Sequence, residues 1–202
     1  MPRLAGQIDL SKSEAILDAA VLVLAERGVA APMEEIARRA RVSKQTIYNH
    51  YGSKAELVRA LCERRMVEFA APLEAAGAAG HPAQALTDIA RILLSPLLTP
   101  QYLTLLRTAM ASAAVMPEVA AALYEAGPRA SRRRLADFLG AETAAGRLAC
   151  PDPLEAAEFF AGMVVSSRQT AYLLGLPLAL TEPQVNAIAA EAAHRFLRAY
   201  AP

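Results

Sequence analysis

The stretch MEEIARRARVSKQTIYNHY, residues 33–51, predicts two short helices joined by a turn. Pro32 suits the first position of the earlier helix, and Glu34 and Glu35 favour its positive end. Ser43 is a good N-cap for the later helix, which is very short and polar on one side. This spacing is typical of a helix-turn-helix.

Capping signals place a further helix on either side of this pair. Ser11 with Glu14 three residues later forms a capping box for a preceding helix, and Gly28 marks its end. After the short helix, Ser53 with Glu56 repeats the same pattern. The sequence therefore predicts a helix-turn-helix that is enclosed by two longer helices.

The rest of the chain is rich in Ala and Leu, which are strong helix formers, and shows no strand alternation. Gly and Pro clusters divide it, and Gly127-Pro128 is expected to kink or split one long helix. The predicted helices lie at about 82–97, 101–115, 117–144, 153–174 and 182–200. We therefore expect an all-α fold of about nine helices.

Basic residues concentrate near the helix-turn-helix, although the whole chain has a net charge of only +1. Residues 1–65 hold 11 Lys and Arg against 8 Asp and Glu, whereas residues 66–202 hold 10 against 12. Between residues 36 and 55 there are basic side chains but no acidic ones. The pattern fits a confined contact with a polyanion, but a solvated helix face explains it equally well.

The helix-turn-helix spacing supplies what recognition of duplex DNA requires. A short second helix can enter the major groove with its first residues facing the base edges. Its N-terminal N–H groups also suit a phosphate oxygen.

Residues 16–61, ILDAAVLVLAERGVAAPMEEIARRARVSKQTIYNHYGSKAELVRAL, resemble the DNA-binding domain of the TetR (tetracycline repressor) family. Residues 123–139, LYEAGPRASRRRLADFL, look like the C-terminal domain of AefR-like members. The resemblance implies a DNA-binding domain at residues 10–70, with its helix-turn-helix at about 33–52. It also implies a helical domain at residues 71–202 for dimerisation and effector binding.

The resemblance also implies roles for residues of the short helix. Ser43 would cap it, and Gln45 carries the amide that can pair with adenine in the major groove. Ile47 and Tyr51 would pack inward. The predicted DNA contacts are Ser43, Lys44, Gln45, Thr46, Tyr48, Asn49, His50 and Lys54.

Two residues depart from the family pattern. Arg41 stands where the family usually has a turn Gly, so a residue with a side chain must accept that backbone or the turn must differ. Pro32 stands where a Ser or Thr commonly caps the helix and touches phosphate, so that contact is in question.

The C-terminal part carries the candidate dimer and effector residues. Two apolar stripes predict a dimer interface, although ordinary monomer core would give the same periodicity. Its candidates are Phe160, Val164, Val185, Ile188, Ala192 and Phe196. Polar groups on apolar segments could orient a ligand, or could equally be surface residues with buried stems. The polar groups are Arg107, Arg168 and Gln169, and the candidates near them are Tyr102, Met110, Met163 and Tyr172.

An enzyme has little support in the sequence. Glu191 and His194 have the Glu-x-x-His spacing of di-iron bundles, but no second such pair exists. Nucleophile-elbow, P-loop and dinucleotide motifs are absent from the sequence, so no catalytic residue, metal or cofactor is predicted. Cys62 and Cys150 are too few for a disulfide framework, which fits a reducing cytoplasm.

These observations predict a cytoplasmic homodimer that binds a near-palindromic double-stranded DNA operator. It would act as a repressor that a small, largely apolar effector releases, without contact with a membrane. The alternatives are an activator or a ligand-independent regulator, and an enzyme with a vestigial DNA-binding domain.

Overall fold

The computed structural model describes residues 7–75, 77–176 and 180–202, and across these residues the chain is helical with no strand. The helices are α1 (Gln7–Arg27), α2 (Met33–Arg39), α3 (Lys44–Tyr51), α4 (Lys54–Glu74), α5 (Pro82–Leu94), α6 (Pro100–Ala111), α7 (Pro117–Tyr124), α8 (Ala130–Ala144), α9 (Pro153–Val165), α10 (Arg168–Leu173) and α11 (Glu182–Ala199). They are accompanied by a 3₁₀ turn at Ser95–Leu98 and a π-helical turn at Glu125–Arg129. The predicted all-α fold is confirmed.

The first compact unit comprises the chain up to Glu63 together with Pro100–Gly127. Its core is apolar, and α1 packs against both α2 and α6. The largest fully buried side chains of this unit come from five helices and are Ile16, Leu24, Ile36, Ile47, Leu57 and Leu103. The helix-turn-helix therefore rests on α1 and α4 through a continuous apolar core.

The second compact unit comprises Arg64–Thr99 and Pro128–Pro202. In it α11 packs against α5, and α8 packs against α9. Phe160 of α9 and Phe196 of α11 meet edge to face, with ring centroids 5.2 Å apart. Both side chains are fully buried, so this aromatic pair anchors the core of the unit.

Packing assigns residues 100–127 to the same unit as the helix-turn-helix. The sequence instead groups residues 71–202 as one functional domain. A unit defined by packing and a domain defined by function are different quantities, so the functional division stays a prediction.

Two predicted helix starts are wrong. α1 begins at Gln7, so Ser11 lies within the helix and cannot be its N-cap. Pro32 is not the first helical residue of α2 but its N-cap, with an extended backbone at φ −69° and ψ 148°. Because proline has no side-chain oxygen, the α2 start has no side-chain cap.

The long helix predicted at 117–144 is interrupted where Gly127-Pro128 was expected to disturb it. The backbone widens into the π-helical turn Glu125–Arg129, which contains Pro128 and joins α7 to α8. Proline has no backbone N–H to donate to a carbonyl of the preceding turn. A π-helical turn accommodates this missing hydrogen bond within a helix. The predicted interruption is confirmed.

The helix predicted at 153–174 is divided in two. Ser166 ends α9 with φ +50° and ψ −147°, and α10 begins two residues later. This backbone is rare for a residue with a side chain, and local sequence patterns give no sign of it.

No single helix among the described residues has the length and apolar character needed to cross a membrane. Among the described residues, residues 82–98 and 100–111 reach that length and composition when they are taken together as a pair.

Candidate nucleic-acid interface

Helix α3 is capped at both ends by the residues that flank it, Ser43 and Gly52. The Ser43 hydroxyl accepts a hydrogen bond from the Thr46 backbone N–H at 3.0 Å, so Ser43 is the N-cap that the sequence predicts. At the other end Gly52 adopts φ +64° and donates its N–H to the Tyr48 carbonyl at 2.8 Å. These caps stabilise a helix of eight residues that would be marginal alone.

The inner side of α3 attaches the helix to the core. Ile47 is fully buried between the helices of the first unit. Tyr51 is half-buried, and its hydroxyl lies 2.8 Å from the Ser13 hydroxyl of α1. The predicted inward packing of Ile47 and Tyr51 is confirmed, and it fixes which side of α3 faces outward.

The turn before α3 contains a residue in the left-handed region. Arg41 has φ +56°, and its N–H donates to the Arg38 carbonyl at 3.2 Å. The next N–H, of Val42, donates to the Ala37 carbonyl at 3.0 Å. Arg41 therefore accepts the backbone that glycine usually provides, at a cost of about 1–2 kcal/mol.

The outer side of α3 is polar. Lys44, Gln45 and Asn49 are exposed, and the Gln45 amide donates to the Asn49 side-chain oxygen at 2.6 Å. Tyr48 is half-buried, and the Lys44 ammonium lies 5.7 Å from the centre of its ring. The first turn and a half of α3 thus presents an ammonium and two amides to the surroundings, the groups that contact phosphates and base edges.

Two further predicted contacts lie beside this polar surface. Thr46 is half-buried, and its hydroxyl lies 2.8 Å from the Ser43 hydroxyl at the helix start. His50 is also half-buried, with its ring centre 6.0 Å from that of Tyr51. Both side chains lie at the margin of the exposed residues.

A carboxylate from α2 contacts this surface. Glu34 lies 2.6 Å from the Lys44 ammonium nitrogen. The hydrogen bond from Lys44 lowers the pKa of the Glu34 carboxyl, and Tyr48 contributes in the same direction. The same contact raises the pKa of the Lys44 ammonium. The sequence indicates only that Glu34 lies near the start of α2, because nothing in the local pattern links residues ten positions apart on different helices.

Lys54 is positioned differently from the other predicted contacts. It is half-buried at the start of α4, and its ammonium donates to the Val29 carbonyl at 2.7 Å. Burial lowers the pKa of this ammonium. The structure thus shows Lys54 fastening the turn between α1 and α2.

The basic residues of α2 are offset by neighbouring carboxylates. Arg38 lies 3.6 Å from Glu35, and Arg39 lies 2.7 Å from Glu26. Arg27 also contacts Glu35, at 3.0 Å. The basic stretch of the sequence is therefore partly a set of solvated ion pairs, the more ordinary of its two interpretations.

The candidate effector residues fall into two groups. Tyr102, Arg107 and Met110 lie on α6 in the first compact unit, where Met110 and Arg107 are exposed. The others lie in the second unit, where the Arg168 guanidinium donates to the Val164 carbonyl at 3.2 Å. The members of the second group are Met163, Arg168, Gln169 and Tyr172.

The candidate dimer residues require correction, because most of them form the core of the single chain. The buried members are Phe160, Val164, Val185, Ala192 and Phe196. Side chains that are covered within one chain have little surface left for a partner, so burial favours the core alternative at these positions. Ile188 is half-buried. On α9 the exposed apolar side chains are instead Leu154, Phe159 and Met163.

The groups considered for enzymatic roles have ordinary structural surroundings. Glu191 lies 2.7 Å from Arg195 on the exposed side of α11. Cys150 is buried, and burial raises the pKa of its thiol. Within residues 7–75, 77–176 and 180–202, no three His, Cys, Asp or Glu side chains are grouped to hold a metal ion.

A capped helix with a buried inner side and a polar outer side, preceded by a bracing helix, defines a helix-turn-helix DNA-binding regulator. Known proteins identify its family. Residues 16–61 match the bacterial regulatory proteins of the tetR family, and residues 84–202 match the C-terminal domain of AefR-like transcriptional repressors. The chain therefore belongs to the TetR family of transcriptional regulators, which confirms the resemblance seen in its sequence.

Solved structures share this fold over nearly the whole chain. The flavonoid-responsive regulator FrrA is 32% identical, with a TM-score of 0.71 and coverage of 95% of this chain and 98% of its own. A TetR-family regulator from Mesorhizobium loti MAFF303099 is 25% identical, with a TM-score of 0.76 and coverage of 96% and 98%. A third, from Agrobacterium tumefaciens, is 28% identical with a TM-score of 0.76 and covers 94% of both chains.

A curated relative matches a shorter segment of the chain. The HTH-type transcriptional repressor SCO4008 of Streptomyces coelicolor is 43% identical over 56 residues. This match covers 27% of the present chain and 29% of the relative. The similarity thus concerns less than a third of that repressor.

Proposed function

We propose that this regulator is a homodimeric repressor that binds a near-palindromic operator through α3 and leaves it when an effector binds. The observation that carries the proposal is the fixed orientation of α3, with Ile47 buried and Lys44, Gln45 and Asn49 exposed. It would act on DNA in the bacterial cytoplasm.

In the proposed complex the residues on the outer side of α3 have different DNA contacts. Lys44 and Tyr48 bind phosphate oxygens, and Gln45 turns from Asn49 to an adenine edge. Ser43, Thr46 and His50 lie beside them and contact the DNA backbone. Lys54 keeps its bond to Val29, and any remaining N–H of its ammonium is directed to phosphate.

A second copy of the chain would bind through the exposed side of α9. Phe159 and Met163 are four residues apart, so they share one side of the helix, and both are exposed large apolar residues. Two-fold pairing sets the recognition helices one helical turn of DNA apart, about 34–36 Å, and so explains a palindromic operator.

Effector binding belongs, in this proposal, to the helical domain of residues 71–202, with residues 10–70 as the DNA-binding domain. FrrA responds to flavonoids, which supports a small, largely apolar effector here too. The seven candidate residues on α6, α9 and α10 are the first to test for ligand contact. The effector must prefer the conformation that cannot span two half-sites, since equal affinity for both conformations shifts nothing.

Selection of duplexes from a random pool tests the DNA-binding part. We expect enrichment of a near-palindrome, and its base preference identifies the operator. A Lys44→Ala variant should bind the enriched site more weakly at every salt concentration, because one phosphate contact is lost. Arg198→Ala is the matched control, because it removes one positive charge from exposed residues of α11 and should leave affinity unchanged.

A Gln45→Ala variant tests base recognition separately. It should relax the preference at one position in each half-site by about 1–3 kcal/mol while the other positions keep theirs. The measurement is a repeat of the selection with the variant. An unchanged base preference would show that Gln45 does not contact a base, and no enrichment by folded wild-type protein would contradict operator binding itself.

A further inference from the structure

The Glu34 carboxylate lies among the groups that we assign to phosphate binding. One of its oxygens is 2.6 Å from the Lys44 ammonium nitrogen, and both side chains are substantially exposed, at 44% and 67%. The same ammonium lies 5.7 Å from the centre of the Tyr48 ring. A proposed phosphate ligand, Lys44, therefore has an acidic partner in the DNA-free protein.

A carboxylate oxygen and a phosphate oxygen are alternatives for the same donors. Each is anionic, accepts from an ammonium at this distance, and binds a phenolic hydroxyl. Lysine binds phosphate as a compact point charge, so a nearby carboxylate that neutralises it weakens that attraction directly.

The other acidic residues around α2 do not have this position. Glu35 is engaged by Arg27 and Arg38, and Glu26 is engaged by Arg39. These pairs lie on α1 and α2, whereas the Glu34 pair reaches α3 itself. Glu34 is thus distinguished by its partner, not by its charge.

We propose that Glu34 is an internal competitor of DNA: in the free protein it occupies the phosphate position of Lys44, and DNA must displace it. The inference rests on the proposed function of α3. Glu34 thereby limits the affinity of the protein for duplexes of any sequence, and leaves discrimination to the base-contacting amide of Gln45.

The size of the effect follows from the exposure of the pair. Exposed ion pairs are weak, so removal of the competitor should tighten binding about two- to five-fold for each recognition helix. The removal of one negative charge near the phosphates should also steepen the salt dependence, by up to about 0.9 in the slope of log K against log salt.

The experiment measures binding of Glu34→Gln to a short random-sequence duplex in KCl from about 50 to 200 mM. The matched control is Glu26→Gln, which removes the same charge from an equally close exposed pair, that of Arg39 at 2.7 Å. We expect tighter binding and a steeper salt slope for Glu34→Gln but not for Glu26→Gln. Equal changes in both variants would show an effect of net charge alone and overturn the proposal.

A second pair of variants tests whether the effect passes through Lys44. In a Lys44→Met background, Glu34→Gln should have clearly less effect than in the wild type, because the competed ammonium is absent. An undiminished effect would overturn the proposal. Circular dichroism of every variant checks that the helical fold is retained.

The outcomes separate this inference from the proposed function. If Lys44→Met binds DNA as tightly as the wild type, α3 is not the DNA contact and both ideas fail. If Lys44→Met weakens binding while Glu34→Gln equals its control, only the competitor role of Glu34 fails.

Discussion

Helices α3 and α9 show how differently two segments of one chain depend on their surroundings. In α3 a single apolar side chain, Ile47, is fully buried, and the polar residues around it face outward. In α9 apolar residues occur on every side, with Phe160 fully buried and its neighbour Phe159 57% exposed. The orientation of α3 follows from its own sequence, whereas that of α9 is decided by the helices that pack against it.

The difference explains why one set of predicted site residues lies at the surface and the other does not. A polar helix with one apolar position has only one side that can be buried. An apolar helix can bury any side, so periodicity cannot separate the core from an interface. Five of the six predicted interface residues of α9 and α11 are buried in the single chain for this reason, and Ile188 is half-buried.

The largest expected effect distinguishes the two neighbouring phenylalanines. Phe160→Ala should destabilise the protein by about 3–5 kcal/mol, because it leaves a cavity against Phe196 in the core. Phe159→Ala should change the stability of the single chain by less than about 0.5 kcal/mol. Urea unfolding of both variants, over a range of protein concentrations, makes the comparison.

Phe159→Ala should instead weaken dimerisation about tenfold or more if this side of α9 is the interface. Analytical ultracentrifugation measures the dissociation constant. If Phe159→Ala leaves dimerisation intact, the proposed interface is wrong. If Phe159→Ala and Phe160→Ala lower the free energy of unfolding equally, the two sides of α9 do not differ in burial as proposed.

A smaller effect concerns the close contact between Gly28, which follows α1, and Thr108 of α6 within the first compact unit. Gly28 has φ +74°, and a Cβ there would lie 2.6 Å from the Thr108 methyl carbon of α6. Thr108 also accepts the Val29 N–H at 3.3 Å. Gly28→Ala should therefore cost about 2–4 kcal/mol, from left-handed backbone together with overpacking.

The control for that variant is Gly146→Ala. Gly146 has the same φ of +74°, but a Cβ at this position would have no neighbour within 4 Å, so only the backbone cost of about 1–2 kcal/mol applies. The two variants are compared by thermal and urea unfolding. Equal losses of stability in the two variants would show that crowding against Thr108 adds nothing to the cost of Gly28→Ala.

The smallest expected effect concerns the turn before α3. Arg41→Gly should stabilise the protein by at most about 1 kcal/mol, since relief of left-handed strain is partly offset by the greater freedom of glycine when unfolded. The measurement is the midpoint of urea unfolding, with Arg38→Gly as the control. That control should destabilise by about 1 kcal/mol, because Arg38 lies within α2. A loss of stability in Arg41→Gly would show that the Arg41 side chain makes a favourable contact in this turn.

The sequence was sufficient for local features and insufficient for contacts between distant helices. The Ser43 cap was predicted from a few consecutive residues, and the family resemblance implied the burial of Ile47 and the demand on the backbone of Arg41. The contact of Lys44 with Glu34 and that of Lys54 with Val29 were not predictable. Both join side chains to groups that only the folded turn brings near.

What the sequence alone determined is the helical class and the helix-turn-helix, because caps, periodicity and turn residues act over short distances. The resemblance of residues 16–61 to known regulators added the TetR family. The tertiary structure alone decided which apolar residues of α9 and α11 are inside, and which carboxylate faces the recognition helix. Burial depends on the partner that covers a side chain, and that partner comes from another part of the chain.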